Sequence, residues 1–398
     1  MKLLFIQHGS RIRKSETGKY YVDGNFNNDI WKRYKSYCDE LTIILRMIPE
    51  DFDEEYLQSK FNYVDTNLVN LITVDDVYSP KSNYINPKIR KRIKETIEEQ
   101  VKNCDKVILR SAGDFYTDIA YRCCKKHNKP FLVEAIGFPF ECFWYHSMFG
   151  KVIAFPIDRK FKKTIANAPY TLYVTNEALQ KRYPCRGEIL GCSDVEINID
   201  NKNKSIVDNR KNKLNMQNNK IILGTIGNID AKLKAQKDVI KSLYKLKQQG
   251  YNNFEYQLVG GGDGNFLNRL IKKYNLQHNV KILGELPHSK VYNWLEKIDI
   301  YIHPSHNEGL CRSIIEAMSR GCAVICADVG GNYELVEKKY LYKKGNIKEL
   351  TKLLKKIKKE DIIEQSKINY EKAKRYDAKV LNKKRDEFYL KFTKKEVK

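Results

Sequence analysis

The chain has 398 residues, long enough for two or three domains, and its 42% hydrophobic residues exclude a chain that is disordered throughout. Lys and Arg (73) outnumber Asp and Glu (49), so the net charge is +24, which suits nucleic acid, an anionic membrane surface or an anionic small substrate. Because no apolar run approaches about 18 residues, no membrane-spanning helix is predicted.

The first half alternates apolar runs with helical patterns. We predict strands at 3–6, 42–46, 107–111, 131–135 and 171–175, with amphipathic helices between several of them. The apolar start at 3–6 is too short for a secretory signal and predicts a first strand. Residues 10–30 are rich in glycine and polar residues and are predicted to form a loop.

The second half alternates more regularly, with strands predicted at 221–227, 256–261, 280–284, 300–304 and 323–328. This pattern predicts an α/β fold of two doubly wound, Rossmann-like parallel-sheet domains that face each other across a cleft. We expect the first domain at 1–197, a polar Asn- and Lys-rich linker at 198–219, the second domain at 220–375, and a terminal helix at 376–398 that packs back on the first domain.

The ten cysteines are scattered and form no C-x-x-C pair. Such spacing favours buried thiols over a metal site or disulfides, and it predicts a reducing, cytoplasmic location. No zinc-finger or RNA-binding signature accompanies the positive charge, so nucleic acid is an unlikely partner.

The segment 301–337 carries the most specific chemistry. A predicted strand ends at Pro304, and a helix begins near Leu310 and Cys311; the free amides of a helix N-terminus favour phosphate. Glu308 and Glu316 are eight residues apart, about 12 Å along a helix, which is too far for a glycosidase carboxylate pair. The spacing suits one elongated ligand, although read alone Glu316 could be a helix-surface residue and Glu308 a first-turn acid.

The stretch PSHNEGLCRSIIEAMSRGCAVI resembles the E-x7-E element of glycosyltransferase family 4, the retaining GT-B enzymes of glycosyl transferases group 1. The resemblance covers about 220–337 and continues more weakly into the first half, where it is similar to enzymes of bacterial capsule, O-antigen and exopolysaccharide synthesis. It implies a GT-B fold and a retaining, metal-independent hexosyl- or N-acetylhexosaminyltransferase.

The resemblance also implies site residues. Glu308 would hold the hydroxyls of the donor sugar, Glu316 the ribose, and Lys234 the phosphate, while Glu134 stands where many members have a histidine facing the reaction centre. The implied catalytic set is Glu308, Lys234 and Glu134, and the implied donor-binding set is Glu316, Gly309, Leu310, Cys311, Asn228, Gly227, His8, Gly9 and Ser10. No metal ligand and no cofactor are expected.

Three positions depart from the family pattern. The usual Lys-Gly is Lys234-Ala235, Asn228 replaces a frequent arginine, and Glu134 replaces the histidine. The GGGDG at 260–264 lacks the third glycine of a dinucleotide fingerprint, because Asn265 stands there, and predicts a tight turn instead.

We therefore expect transfer of a sugar from a nucleotide-sugar, with uridine as the expected base, to a glycan or polyprenyl-diphosphate-linked acceptor of surface polysaccharide synthesis. The enzyme would be cytoplasmic, with Lys-rich helices that attach it peripherally to the inner face of the membrane as a further hypothesis. The alternatives are a basic nucleic-acid- or membrane-binding protein without transferase activity, another GT-B enzyme such as an epimerase or phosphorylase, and a non-catalytic partner subunit.

Overall fold

The computed structural model describes residues 1–23, 26–146, 148–199, 205–216 and 220–394. The chain forms two compact units. The first comprises Met1–Val174, Leu179–Gly191 and Arg385–Lys398, and the second comprises Thr175–Ala178 and Cys192–Lys384. Each unit is an α/β body built on its own sheet.

The strands and helices of the first half alternate, as the apolar runs predict. The strands are β1 Lys2–Ser15, β2 Tyr20–Val22, β3 Glu40–Phe52, β4 Asn62–Tyr63, β5 Asn70–Asp75, β6 Lys106–Arg110, β7 Phe131–Ala135, β8 Tyr170–Tyr173 and β9 Glu188–Gly191. The helices are α1 Asn28–Lys35, α2 Glu54–Lys60, α3 Pro87–Asn103, α4 Phe115–Lys126, α5 Pro139–His146, α6 Met148–Ala166 and α7 Ala178–Arg182, with a 3-10 turn at Lys81–Tyr84. All five strands predicted for this half are confirmed.

The first sheet has seven parallel strands in the order β5-β3-β1-β6-β7-β8-β9. Its central strands read as continuous apolar runs because helices cover both faces, and Leu3–Ile6 of β1 are fully buried. The chain runs outward from β1 through β3 to β5 and then returns to β6 on the other side of β1. The junction of β1 and β6 is therefore the topological switch point of this sheet.

The loop predicted at 10–30 is wrong for most of the residues that the structure describes there, and residues 24 and 25 lie outside that part. The first strand continues to Ser15, and Ile12–Lys14 pair with the antiparallel strand β2, which in turn pairs with β4. A register shift between Ile6 and Arg11 bulges the strand. The polar composition hid this extension because several of its polar side chains, Ser10, Arg13 and Ser15, are themselves buried, so no apolar alternation marks the strand.

The second half is more regular. Its strands are β10 Ile221–Ile226, β11 Phe254–Val259, β12 Val280–Gly284, β13 Ile300–His303, β14 Ala323–Ala327 and β15 Leu341–Tyr342. Its helices are α8 Ile206–Met216, α9 Gln236–Gln248, α10 Asn265–Lys273, α11 His288–Lys297, α12 Arg312–Ser319, α13 Asn332–Leu335, α14 Ile347–Lys356, α15 Lys359–Ala373 and α16 Ala378–Thr393. Short 3-10 turns lie at Lys232–Lys234, Lys338–Tyr340 and Lys374–Tyr376.

The second sheet is wholly parallel, in the order β12-β11-β10-β13-β14-β15. This is the doubly wound Rossmann order, in which the first and fourth strands of the unit are neighbours. The switch point therefore lies between β10 and β13, and ligands of such sheets bind beyond the carboxyl ends of those strands. The five strands predicted for this half are confirmed.

The boundaries of the units differ from the expected ones. Residues 206–216 of the predicted linker form α8 of the second unit, where the buried Arg210 guanidinium donates to the carbonyl oxygens of Leu295, Ile298 and Arg320. The composition gave little sign of this helix, because only two of its buried residues, Ile206 and Leu214, are apolar and the third is Arg210. The rest of the predicted linker from 200 to 204 and from 217 to 219 lies outside the described residues.

The start of the second unit also lies earlier than predicted. The carbonyl oxygen of Ile197 accepts a hydrogen bond from the amide of Ala378, and the amide of Ile199 donates to the carboxylate of Asp377. These bonds join the chain from Cys192 onward to the second unit. The terminal helix α16 belongs to the first unit from Arg385, where Phe388 and Phe392 contact the ring of Tyr170. Among the helices in the described part of the chain, none combines the length and apolar character needed to cross a bilayer.

Candidate functional site

The second unit gathers polar side chains at its switch point. Lys234 lies in the turn that follows β10, His303 ends β13, and Glu308 lies in the loop between β13 and α12. Parallel strands place their carboxyl ends at one edge, so residues distant in sequence meet there. The sequence prediction of Lys234 and Glu308 as neighbours at one site agrees with this placement.

Glu308 is the centre of the group. Its Oε1 lies 2.8 Å from Lys234 Nζ and 2.8 Å from His303 Nε2, and its side chain is 15% exposed. Burial alone would raise the pKa of Glu308, but the charges of His303 and Lys234 and their hydrogen bonds lower it well below its ordinary value. The carboxylate is therefore ionised at neutral pH and held between two cationic groups.

His303 is a residue that sequence reasoning missed. It is buried, and its ring lies parallel to that of Tyr301 at 6.1 Å. Burial would lower the pKa of His303, but Cys311 and Glu308 raise it to about 9, so the imidazole is protonated at neutral pH. The available signal was a histidine at the end of a buried strand, five residues before Glu308.

Lys234 keeps its charge in spite of partial burial. Burial would lower its pKa, but the charge of Glu308 and their hydrogen bond raise it. About a third of the side chain is exposed, and an ammonium group has three N–H donors, so the bond to Glu308 leaves donors that a ligand could use. The role of Lys234 toward a phosphate stays a prediction.

Helix α12 begins beside this group, close to where the sequence predicted. Its N-cap is Cys311, whose side chain makes no capping bond to the amides of the first turn. Cys311 Sγ instead lies 3.4 Å from His303 Nε2 and 3.2 Å from Ser313 Oγ. The backbone amides at Leu310, Cys311 and the first turn therefore offer donors and a positive dipole end to an anion.

A glycine turn supports the segment that carries Glu308. The amide of Gly331 donates to the carbonyl oxygen of Gly309 at 2.7 Å. A Cβ atom at Gly330, where φ is +53°, would lie 1.9 Å from the Glu308 carbonyl oxygen. Gly330 is thus required by both backbone conformation and close approach, and it fixes the position of Glu308.

The turn after β10 holds two of the residues that depart from the family pattern. Ala235 is in the left-handed conformation, with φ +52° and ψ +27°, at the position where glycine is usual. Asn228 accepts a hydrogen bond from the amide of Asp230 at 3.0 Å, so its side chain shapes this turn. Gly227 lies beneath the Lys234 side chain, where a Cβ atom would be 3.4 Å from the aliphatic stem.

Glu316 lies in the second turn of α12 and is half-buried. The helix begins only at Arg312, so the residues from Glu308 to Cys311 are not helical. The separation of about 12 Å between Glu308 and Glu316 assumed one continuous helix, and that assumption is wrong. The structure places Glu316 on the helix whose N-terminus adjoins Glu308. Its role toward a ribose stays a prediction.

One set of these atoms has the composition of a metal site. His303, Glu308 and Cys311 each offer a ligand atom, and these atoms lie within 4.8 Å of one another. However, the Lys234 ammonium shares the same Glu308 oxygen, and His303 would have to lose its proton before binding a metal. The donor set therefore fits a charge-assisted hydrogen-bond network better than a metal centre.

The first unit holds the remaining predicted residues. His8, Gly9 and Ser10 lie on the bulge of β1 rather than in a loop after it, and the amides of Gly9 and Ser10 donate to Gln7 Oε1. His8 Nδ1 lies 3.0 Å from Asp114 Oδ2, at the switch point of the first sheet. Asp114 also caps α4 through the amides of Tyr116 and Thr117, and sequence reasoning missed it.

Glu134 is placed differently from the prediction. It is 1% exposed, and its carboxylate accepts hydrogen bonds from the hydroxyls of Tyr34 and Tyr389 and from the Arg110 guanidinium. Burial would raise its pKa, but Arg110 and the two tyrosines lower it. Both carboxylate oxygens accept hydrogen bonds inside the first unit, so Glu134 anchors the terminal helix α16 and we interpret it as a structural residue. Its catalytic role stays a prediction.

Comparison with known proteins agrees with this geometry. Residues 206–376 match the family model described as glycosyl transferases group 1. Over 358 residues the chain is 34% identical to Protein CapJ of Staphylococcus aureus, covering 89% of this chain and 85% of that protein. It is also 34% identical over 99 residues to the amylovoran biosynthesis glycosyltransferase AmsK of Erwinia amylovora, covering 23% of this chain and 24% of AmsK.

Among solved structures, Anabaena Alr3699/HepE in complex with UDP superposes with a TM-score of 0.64 at 17% identity, covering 97% of this chain and 99% of that one. The likeness confirms the GT-B fold that the sequence predicted, since both parallel-sheet units have counterparts. The identity to CapJ extends across nearly all of both proteins. The chain therefore belongs to the glycosyl transferases group 1 family.

Proposed function

We propose that this glycosyltransferase moves a sugar from a uridine-diphosphate donor to a glycan or polyprenyl-diphosphate-linked acceptor, without a metal and with retention of the anomeric configuration. The observation that carries the proposal is the convergence of Lys234, Glu308 and the N-terminus of α12 at the switch point of the second sheet. These groups supply what a nucleotide-sugar needs: amides and a cation for the diphosphate and a carboxylate for sugar hydroxyls.

The diphosphate is the leaving group, so negative charge grows on its oxygens as the glycosidic bond breaks. The amides at the start of α12 and the Lys234 ammonium are preorganised donors for that charge. Groups of this kind can each contribute about 3–4 kcal/mol to stabilising a transition state. They also make a divalent cation unnecessary for charge neutralisation, which is the basis of the proposed metal independence.

Glu308 would accept hydrogen bonds from the hydroxyls of the sugar and stabilise positive charge that develops on its ring. Protonated His303 holds the Glu308 carboxylate from one side, and the Gly330 turn holds its backbone from the other. His303 thus acts as a positioning residue, because it reaches the sugar only through Glu308. The carboxylate keeps one oxygen for the substrate while the other remains bonded to the protein.

Several findings support the finer parts of the proposal. HepE was solved with UDP, which supports uridine as the donor base. AmsK is described as acting in amylovoran biosynthesis, which, with the resemblance in the first half, supports an acceptor in polysaccharide synthesis. Membership of the family favours a transferase over a nucleic-acid-binding protein as the explanation of the positive charge.

The proposal is tested by thermal unfolding of the protein with a panel of nucleotide-sugars. A donor present at 100 times its Kd adds about 2.7 kcal/mol to stability, so the correct base and sugar should raise Tm most. Product analysis with the best donor then reports the anomeric configuration. Protection by no uridine-diphosphate sugar, an inverted product, or complete loss of activity in EDTA would each overturn the corresponding part of the proposal.

A further inference from the structure

The first unit exposes a row of large apolar side chains on one helix. In α6, Met148, Phe149, Val152 and Phe155 are exposed to 78%, 65%, 70% and 61%. We call these four residues the α6 apolar face. Four such side chains within eight residues form a continuous patch rather than scattered apolar residues, and contiguous patches mark interaction surfaces.

The opposite side of the same helix accounts for its folding. Ala154, Asp158, Phe161 and Ile165 are buried, and Asp158 accepts a hydrogen bond from the hydroxyl of Tyr183 at 2.6 Å. The helix therefore has its own core contacts and does not need the α6 apolar face for stability. The face is free for another partner.

Aromatic rings of the preceding helix extend this surface. The rings of Phe140 and Trp144 are stacked at 5.3 Å, and Phe155 meets both edge-on at 5.2 and 5.9 Å. Lys151 Nζ lies 5.6 Å from the centre of the Trp144 ring. Tryptophan and lysine combine an apolar body with a polar end, which suits the boundary between a bilayer and water.

The charges around the face are positive. Lys151, Arg159 and Lys163 are exposed and, within the described residues, have no acidic side chain in ion-pair distance. The acidic groups nearby are already neutralised, since Asp158 pairs with Lys162 and Tyr183. The side chain of Glu141 likewise pairs with Arg182. The patch therefore carries cations with no anion of its own.

We propose that the α6 apolar face docks on an anionic lipid bilayer. The helix would lie in the plane of the interface, with Met148, Phe149, Val152 and Phe155 entering the acyl boundary and Lys151, Arg159 and Lys163 contacting the headgroups. Amphipathic helices bind membranes in this way, with apolar side chains buried about 5–10 Å and basic residues attracted to anionic lipids. The inference goes beyond the proposed transfer reaction and does not depend on it.

The size of the face favours a bilayer over a second copy of the chain. Aromatic side chains bury about 150–250 Å² each, and methionine and valine are smaller, so these four side chains, about two-thirds exposed, present no more than roughly 500 Å². A stable protein interface buries about 800 Å² per partner. The unpaired cations also point to an anionic surface, because two copies of the same patch would bring like charges together.

The test is co-sedimentation of the full chain with vesicles of phosphatidylglycerol and phosphatidylcholine, and with vesicles of phosphatidylcholine alone. We expect binding to the anionic vesicles and at least about tenfold weaker binding to the neutral ones. The triple variant Met148→Ser, Phe149→Ser, Val152→Ser should lower the partition coefficient on anionic vesicles by about tenfold or more, because each change removes exposed apolar surface.

Two further variants make the result specific. Lys151→Glu with Arg159→Glu should weaken binding to anionic vesicles while leaving the weak binding to neutral vesicles unchanged. Ile85→Ser is the matched control, since Ile85 is 79% exposed in the first unit but lies outside the face. It should bind as the unchanged chain does.

Each remaining outcome contradicts the inference. No vesicle binding, equal binding to both compositions, or equal loss in the triple variant and the Ile85 control would overturn it. Light scattering gives a second readout: a dimer that the triple variant converts to a monomer would assign the face to a second copy instead. None of these measurements uses transfer activity, so failure here leaves the proposed reaction untouched, and failure of that reaction leaves this inference untouched.

Discussion

Gly330 offers a test of how the fold positions Glu308. In Gly330→Ala the new Cβ would lie 1.9 Å from the Glu308 carbonyl oxygen, where real contacts are at least about 3.0 Å. The Glu308 segment must therefore move by about 1 Å. The left-handed backbone adds about 1–2 kcal/mol of strain. Since a displacement of about 1 Å can cost about 100-fold in rate, we expect kcat/KM for the donor to fall by about 100-fold.

Gly284→Ala is the matched control for this substitution. Gly284 also has a left-handed backbone, with φ +73°, but a Cβ there meets nothing within 4 Å. It should show the same strain in thermal unfolding, about 1–2 kcal/mol, with kcat/KM changed by less than about threefold. Steady-state kinetics at saturating acceptor separates the two variants. If Gly330→Ala were as active as Gly284→Ala, the turn would not position Glu308 and the reasoning would be refuted.

Four other substitutions and conditions test the remaining contacts. Lys234→Ala should slow transfer by about 100-fold or more and weaken UDP binding, whereas its exposed neighbour variant Lys232→Ala should do neither; a change in Tm alone would show that Lys234 is a solvated lysine. Ala235→Gly should raise the free energy of unfolding by about 1 kcal/mol in a denaturant titration, because it relieves the left-handed alanine; no gain would refute that strain. His303 has a folded pKa of about 9 against an ordinary 6.5, so its stabilising contribution is complete below pH 6.5 and is lost as pH rises toward 9. Tm and kcat should both fall as pH rises through that window, and His303→Gln should remove this pH dependence. If His303→Gln kept the pH profile of the unchanged chain, the network would be contradicted. Tyr389→Phe should destabilise the chain by about 1–3 kcal/mol, by removing a bond to the buried carboxylate, and leave kcat unchanged; a selective loss of kcat would return Glu134 to the catalytic set.

Much of the fold follows from patterns that are local in sequence. A continuous apolar run bounded by turn residues, such as 323–327, is typical of a strand buried on both faces, and the structure has it as β14. The mostly polar helix α8 was missed because only Ile206 and Leu214 mark its buried face as apolar, and the bonds of Arg210 to three distant carbonyl oxygens cannot be read from a local pattern. Patterns of this kind predict burial, but they do not predict long-range hydrogen bonds.

The site residues divide in the same way, into those that the sequence indicates and those that only the fold brings together. Glu308 and Lys234 were predicted from the family resemblance, and the structure brings their side chains together. His303 carries no motif, and its raised pKa arises only when β13 and the start of α12 place Glu308 and Cys311 beside it. Glu134 was predicted from the family resemblance, as the position where many members have a histidine, but its partners Tyr34 and Tyr389 lie 100 and 255 residues away. The structural role of Glu134 could not be predicted from the sequence, because only the fold brings these partners to it.

The central claim is that Glu308 faces the sugar while the start of α12 and Lys234 face the diphosphate. The most direct measurement is the rate of transfer by Glu308→Gln together with its Kd for UDP. We predict a rate lower by about 100-fold or more, with UDP binding within about threefold of the unchanged chain, because the carboxylate acts on the sugar alone. Near-normal transfer, or UDP affinity lost in parallel with the rate, would contradict the account.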